Sequence, residues 1–264
     1  MKRSDRVFAI VAAAVRALFR LRGFKNQILS QAAVAEMLTP VWHETLPSGT
    51  VLRFYAPTRT ALYRGWTTLT KEPDTIAWID GFAAGSTLYD VGANVGVFTL
   101  YAASRGLKVV AVEPVSSNFA VLNRNIDINN FSDKAVAYCA ALDRQDGLGT
   151  LFLASTAAGS SSQFERPIES AKFTQGAVCL ALDSLWEKGK LPFPNHLKID
   201  VDGTEDRVIA GAQRTLADGR LQSIHIEINA TECDKPALIA EIERFGFTAT
   251  PGNRDNITFV RAAR

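Results

Sequence analysis

At 264 residues, with 47% hydrophobic and 21% charged side chains, the chain has room for one large α/β domain or two small ones of ordinary globular composition. The formal charge of +2 is unevenly spread: residues 1–25 hold seven basic side chains against Asp5 alone, a local +6, so the rest carries −4 and is not built to attract nucleic acid. Cys139, Cys179 and Cys233 are far apart, odd in number and without a C-x-x-C, which argues against a disulfide framework or zinc knuckle and for a reducing, cytoplasmic compartment.

Residues 7–15 are apolar and follow basic residues, yet Arg16 and Arg20 interrupt the continuation, no small-residue cleavage site follows, and the run is short of the roughly 20 residues that cross a bilayer. At about 100° per residue, Val7, Ile10, Val11, Val15, Leu18 and Leu21 share one helical face, with Lys2, Arg6, Arg16 and Arg20 opposite. Two readings stay open for residues 2–25. One is peripheral contact with an anionic membrane; the other is packing on the chain's own domain or on a second copy in a homodimer.

Between Pro40 and Thr70, the runs Thr50–Tyr55 and Thr60–Tyr63, set off by Pro47-Ser-Gly49 and Pro57, predict small antiparallel strands. His43, in this region, reads as structural or exposed. Asp74 is the expected N-cap of a helix carrying Ile76, Trp78, Ile79 and Phe82.

Leu88–Val91 is a short apolar run leading into Asp90-Val-Gly92-Ala-Asn94-Val-Gly96, after which Val97, Leu100 and Tyr101 take helical spacing. This predicts a buried strand, a tight glycine turn and a helix whose first N–H groups face a ligand. The turn fits D-x-G-x-x-x-G and not the dinucleotide pattern G-x-G-x-x-G. A second apolar run, Lys108–Val112, ends at Glu113, where a carboxylate can accept both hydroxyls of a ribose. Turn and acidic strand end together point to an adenosine ligand.

A helix follows from a cap at Ser116 or Ser117 to about Asn129, and Ala135–Leu142 reads as a third strand. The alternation predicts a doubly wound, mostly parallel α/β sheet with its ligand at the carboxyl ends of the strands. Thr150–Leu153 and Ala177–Leu182 read as strands around a polar stretch, Ser155–Gln175, that is either a substrate-side flap or a disordered span.

Leu197–Val201 is a short strand with Lys198 and Asp200 on one face, and charges inside a sheet serve a site or pair with each other. Asp202 and Glu205 suit the N-terminus of a helix over Val208–Leu216. Ile224–Asn229 sets His225, Glu227 and Asn229 to one side and three isoleucines to the other; a lone strand histidine is more often a bonded core residue than a base. A helix over Pro236–Phe245 and a hairpin of Phe247–Thr250 with Ile257–Val260 complete the chain.

The strings Lys71-Glu-Pro-Asp-Thr-Ile-Ala-Trp-Ile79, Asp90–Gly96, Val112-Glu-Pro114 and Leu197-Lys-Ile-Asp-Val-Asp-Gly-Thr-Glu205, with Phe245-Gly-Phe247, resemble the FkbM family of S-adenosylmethionine-dependent methyltransferases over roughly residues 70–260. Asp202 stands where the family commonly has Glu, and residues 1–40 lie outside the resemblance. It implies a Rossmann-like, seven-stranded sheet with an antiparallel last strand, and O-methylation of a hydroxyl on a sugar, glycan or polyketide-like molecule. The chain then divides into an amphipathic helical extension (1–40), a small β-rich cap with a lead-in helix (41–85) and the S-adenosylmethionine-binding domain (86–264). The cofactor residues so implied are Asp90, Gly92, Ala93, Asn94, Gly96, Phe98, Glu113, Pro114, Asn118, Ala141 and Leu142.

A sulfonium is already activated, so the enzyme has to align the acceptor oxygen and take its proton. Asp200 is the first choice as base and Glu227 the second, with Lys198 pairing with Asp200 or orienting substrate. Alternatively Asp200, Glu227 and Asn229 hold a divalent cation such as Mg²⁺ that lowers the hydroxyl pKa. An amino-methylating enzyme would carry an Asn/Asp-Pro-Pro-Tyr motif, which is absent. The reading from another class is a non-catalytic scaffold or docking protein in a glycan-assembly complex.

Overall fold

The computed structural model describes residues 10–17, 24–67, 69–160, 162–164, 171–229, 231, 233–252 and 255–262. The chain forms two compact units, Met1–Pro40 and Val41–Arg264. In the first, residues 10–17 and Phe24–Leu38 are helical. Ile10, Val11, Val15 and Arg16 of the expected amphipathic helix fall within the described residues. Lys2, Arg6, Val7, Leu18, Arg20 and Leu21 lie outside them. Among the described residues no helix is long and apolar enough to cross a membrane.

The second unit opens with β1 (Val41–Thr45) antiparallel to β2 (Val51–Tyr55). The strand expected at 60–63 is instead part of a helix, Arg59–Trp66. Thr58 decides this: its Oγ1 accepts the Ala61 N–H at 3.0 Å, capping the helix, and the buried positions Ala61 and Gly65 fall four apart. The next helix, Pro73–Asp80, starts two residues earlier than expected; Glu72 is its N-cap, Pro73 opens it and Asp74 lies in the first turn.

The central sheet has seven strands: β3 (Thr87–Val91), β4 (Lys108–Val112), β5 (Ala135–Tyr138), β10 (His196–Ile199), β11 (Ser223–Glu227), β12 (Phe247–Pro251) and β13 (Asn256–Arg261), in the spatial order β12-β13-β11-β10-β3-β4-β5. β5, β4, β3, β10 and β11 pair in parallel, and β13 is antiparallel to both β11 and β12. The order reverses between β3 and β10, which opens a crevice at their carboxyl ends. The fold is thus the expected α/β class with helices on both faces. Of the hairpin's connection, 253–254 lie outside the described residues.

Alternate strand residues enter two cores. Tyr89, Val91, Val110, Val112, Leu197, Ile199, Ile224 and Ile226 face one, with Leu182, Val208, Ile209 and Leu238 from helices. Leu88, Val109 and Ala111 face the other, with Ile79, Leu100 and Leu122. At about 25 cal/mol per Å² of apolar surface removed from water, such two-sided burial dominates the stability of the sheet.

Two expected elements are broken. Ala135–Leu142 divides after Tyr138, where the Ala140 N–H turns back to the Tyr138 carbonyl (3.1 Å), and β6 (Ala141–Leu142) joins a second sheet. That four-stranded sheet, order β6-β9-β7-β8, uses β7 (Gly147–Leu153), β8 (Ser162–Phe164) and β9 (Phe173–Leu180). Leu182, expected in a strand, instead begins the helix Leu182–Gly189. The helix expected over 208–216 is two pieces, Glu205–Ala210 and Gln213–Ala217, because Gly211 lies against the chain at Asp143; a Cβ there would come within 2.1 Å of the Asp143 carbonyl oxygen.

Candidate active site

The cofactor half of the crevice begins at the turn after β3. Gly92 has φ +79°, and a Cβ on it would stand 1.8 Å from the carbonyl oxygen of Asp200, so both its conformation and its contact with the end of β10 require glycine. The N–H groups of Gly92 and Ala93 bond to the Val112 carbonyl (2.9 and 3.1 Å), fastening the turn to the end of β4. Glu113, the next residue, is 4% exposed. One carboxylate oxygen accepts the Asn94 N–H (2.8 Å) and the other accepts the Val115 N–H (2.8 Å). Burial outweighs these donors and pushes its pKa up to about 7.

The expected cap at Ser116 or Ser117 is replaced by partners from elsewhere. Glu113 takes the Val115 N–H, and Gln175 of β9 accepts from both N–H (3.1 Å) and Oγ (2.8 Å) of Ser116. Asn118 then reaches across: its Oδ1 accepts the Gly159 N–H (2.7 Å) and its Nδ2 donates to the Ser160 carbonyl (3.0 Å). The start of the polar stretch 155–175 therefore packs along the crevice, while 161 and 165–170 lie outside the described residues.

A cavity of about 180 Å³ is lined by Gly92, Asn94, Glu113, Pro114, Asn118, Ala141 and Leu142 on this side and by Asp200, Asp202 and Glu227 on the other. Ala93 and Phe98 line a smaller adjoining cavity with Lys198. Among the described residues, Asp90 and Gly96 line neither; Gly96 backs onto Leu122, and Asp90 lies beneath the turn, accepting the Thr99 hydroxyl at 2.6 Å.

The acceptor half rests on a polar row across one face of the sheet. Asp90, Lys198, His225 and Thr258 are successive register partners on β3, β10, β11 and β13. Lys198, 2% exposed, donates to Asp200 Oδ2 at 3.1 Å, stands 4.0 Å from Asp90 Oδ1 and lies 5.0 Å from the centre of the Phe98 ring. Burial disfavours its ammonium, but the charges of Asp200 and Asp90 outweigh that and raise its pKa. The pairing expected of Lys198 with Asp200 is present, and Asp90, whose pKa is raised by its burial, stands beside it as a second carboxyl group.

His225 is not placed as a base. Its Nε2 meets the Thr75 hydroxyl (3.0 Å), its Nδ1 meets Thr258 (2.9 Å), and Trp78 stacks on it with ring centres 5.1 Å apart. Burial, then the Lys198 charge, lowers its pKa to about 4, so it is neutral near pH 7. His43 is exposed on β1.

Asp200 and Glu227 face the cavity together with different proton affinities. Burial raises that of Asp200, but the Lys198 ammonium reverses this and leaves the pKa lowered. Glu227 is pushed up to about 7, by burial first and then by the Asp200 charge. Asn229 does not join them: its Oδ1 accepts from the N–H and hydroxyl of Thr231 (3.0 and 2.8 Å). The expected divalent-cation set thus finds no support. Lys198 already occupies Asp200, and among the described residues no group of three or more His, Cys, Asp or Glu is arranged to hold a metal ion.

Arg64 lines both cavities but carries no signal in the sequence, where the adjoining Thr60–Tyr63 reads as a strand. Lys71, which also lines both, and Glu72, which lines the smaller, lie inside a quoted motif but carry no chemical signal of their own. Ser160 and Thr204 also line the larger cavity.

The sequence model of the methyltransferase FkbM domain matches residues 90–249. Two curated relatives are similar. Methyltransferase 1 of Beauveria bassiana is 28% identical over 149 residues, 49% of this chain and 59% of the relative. The hexuronic acid methyltransferase AglP of Haloferax volcanii is 28% identical over 175 residues, 64% of this chain and 66% of the relative. The chain therefore spans less than two thirds of either relative. Among solved structures, precorrin-6Y C5,15-methyltransferase from Geobacter metallireducens aligns with a TM-score of 0.44 at 12% identity, covering 72% of this chain and 87% of that one. With the family's domain matched over most of the second unit, the chain belongs to the FkbM methyltransferase family.

Proposed function

We propose that the protein transfers a methyl group from S-adenosylmethionine to a hydroxyl oxygen of a sugar. The observation that carries this reading is the meeting of Glu113, Asp200 and Glu227 at one cavity, from the carboxyl ends of β4, β10 and β11 of the central sheet. The hexuronic acid methyltransferase among its relatives supports a sugar as acceptor.

The residues fit the cofactor. Glu113 offers a buried carboxylate where a ribose would lie, and Asn94 Oδ1 is buried with no hydrogen-bond partner among the described residues, an acceptor suited to an ammonium group. When bound, S-adenosylmethionine supplies a methyl group already activated as a sulfonium, so the chain's work is alignment and proton removal. Glu227, with a pKa near neutrality, suits the base that takes the hydroxyl proton. Asp200 is the weaker base of the two because Lys198 stabilises its ionised form; it is placed to accept a hydrogen bond and orient the hydroxyl.

Calorimetric titration with S-adenosylhomocysteine tests the cofactor assignment. The wild type should bind it in the micromolar range, and Glu113→Ala should not. A folded wild type that does not bind would end the methyltransferase reading.

A further inference from the structure

The helix Arg59–Trp66 points two ways. Ala61 and Gly65 are buried and Arg64 lines the catalytic crevice, but Tyr63 and Trp66 are 53% and 62% exposed. They do not lie on a flat surface. With Trp42 and Glu44 of β1, and with Thr67 and Thr70, they line an open groove of about 450 Å³. The rings of Trp42 and Trp66 are 6.3 Å apart and inclined at 53°. The Trp42 indole N–H is held by Glu44 Oε2 at 2.9 Å, which fixes that ring's edge. Thr67 lines both this groove and the smaller cavity that contains Lys198 and Asp200, so the two are neighbours along one wall.

The chemistry of the groove is selective. Broad aromatic faces beside a carboxylate and two hydroxyl groups match a pyranose ring, which presents a C–H face for stacking and a rim of hydroxyls for hydrogen bonding. An anionic membrane would call for cations, and Glu44 is the one charged residue lining the groove among those described. Exposed aromatic patches of this kind mark binding surfaces.

We infer that Trp42, Tyr63 and Trp66 form a sugar-stacking subsite, and that the acceptor is an oligosaccharide whose reacting sugar enters the crevice while a neighbouring sugar rests on this platform. The inference rests on the sugar O-methyltransferase reading and deepens it: a free monosaccharide would leave the platform unused. Binding here is non-covalent, so affinity and chemistry can be separated by mutation.

The test uses the full chain with S-adenosylhomocysteine present, applied to a printed array of neutral and acidic mono- to hexasaccharides and to phosphatidylglycerol vesicles. The wild type should retain saccharides of two or more units and not the matching monosaccharides. Trp66→Ala and Tyr63→Ala should each weaken that retention about ten-fold or more, the scale of losing an aromatic anchor, while Trp66→Phe keeps most of it. Calorimetric affinity for S-adenosylhomocysteine should be unchanged in all three variants. Normal S-adenosylhomocysteine binding with no saccharide retained, or with equal retention by Trp66→Ala, overturns the platform and leaves the methyltransferase reading standing. Vesicle binding that depends on Trp66 also overturns it, in favour of a membrane surface. Loss of S-adenosylhomocysteine binding by the wild type would instead strike the underlying reading.

Discussion

The two halves of the crevice are made by different means. On the β3–β4 side, backbone does most of the work: Gly92 and Ala93 bond to Val112, Asn94 bonds to Glu113, and Glu113 bonds to Val115, all within a span of 24 residues. On the β10–β11 side, side chains from distant segments do it: Lys198 between Asp90 and Asp200, Glu227 beside Asp200, and Arg64 and Lys71 from ahead of the sheet. A site built from local backbone tolerates changes in its surroundings. A site built from buried charges depends on each charge keeping its partner, because a buried ion without one carries the full cost of desolvation.

The comparison can be broken most severely at Lys198. Lys198→Met removes the cation between two buried or half-buried carboxylates, and denaturant unfolding should show a loss of about 3–5 kcal/mol. An unchanged midpoint would show that Asp90 and Asp200 do not need it. The second effect falls on rate. If Glu227 is the base, activity should rise with pH through about 7 as its carboxyl loses its proton, since the ionised form accepts the hydroxyl proton. Glu227→Gln should remove that rise and lower kcat by about 100-fold or more without changing S-adenosylhomocysteine affinity. A rise through about pH 7 that persists in Glu227→Gln would exclude Glu227 as its source and leave Glu113, the other cavity carboxyl pushed up to about 7, since the pKa of Asp200 is lowered.

The smallest effect sharpens the contrast at its edge. Thr58 caps the helix carrying Arg64 and also donates to the Ala158 carbonyl at 2.6 Å, so it joins that helix to the segment along the crevice. Thr58→Ala should cost about 1–2 kcal/mol, and faster proteolysis within 155–175 would report the loosened contact. Equal cleavage of the two proteins would make the Thr58 contact with Ala158 incidental.

The local half was also the legible half. Strand, turn, helix and Glu113 follow one another in the chain, and each leaves its own mark: an apolar run, spaced glycines, helical periodicity, an acidic strand end. The hydrogen-bonded character of His225 was legible for the same reason, since an isolated histidine among isoleucines has to find partners. What misled was short or shared text. Thr60–Tyr63 is too brief for its periodicity to separate strand from helix, and only the Thr58 cap settles it. Ala135–Leu142 is uniformly strand-like, yet it serves two sheets because Ala141 and Leu142 pair with Cys179 and Leu180 far along the chain.

The sequence by itself determined the alternating α/β order, the glycine turn, the acidic end of β4 and the charged motif on β10, because those depend on neighbours in the chain. The tertiary structure alone decided that Lys198 stands between Asp90 and Asp200, that Asp200 and Glu227 hold their protons so differently, that Arg64 and Lys71 line the crevice, and that Asn229 bonds to Thr231. Burial, and the charges brought next to a group by the packing of distant strands, set those properties, and neither is written in any single stretch of residues.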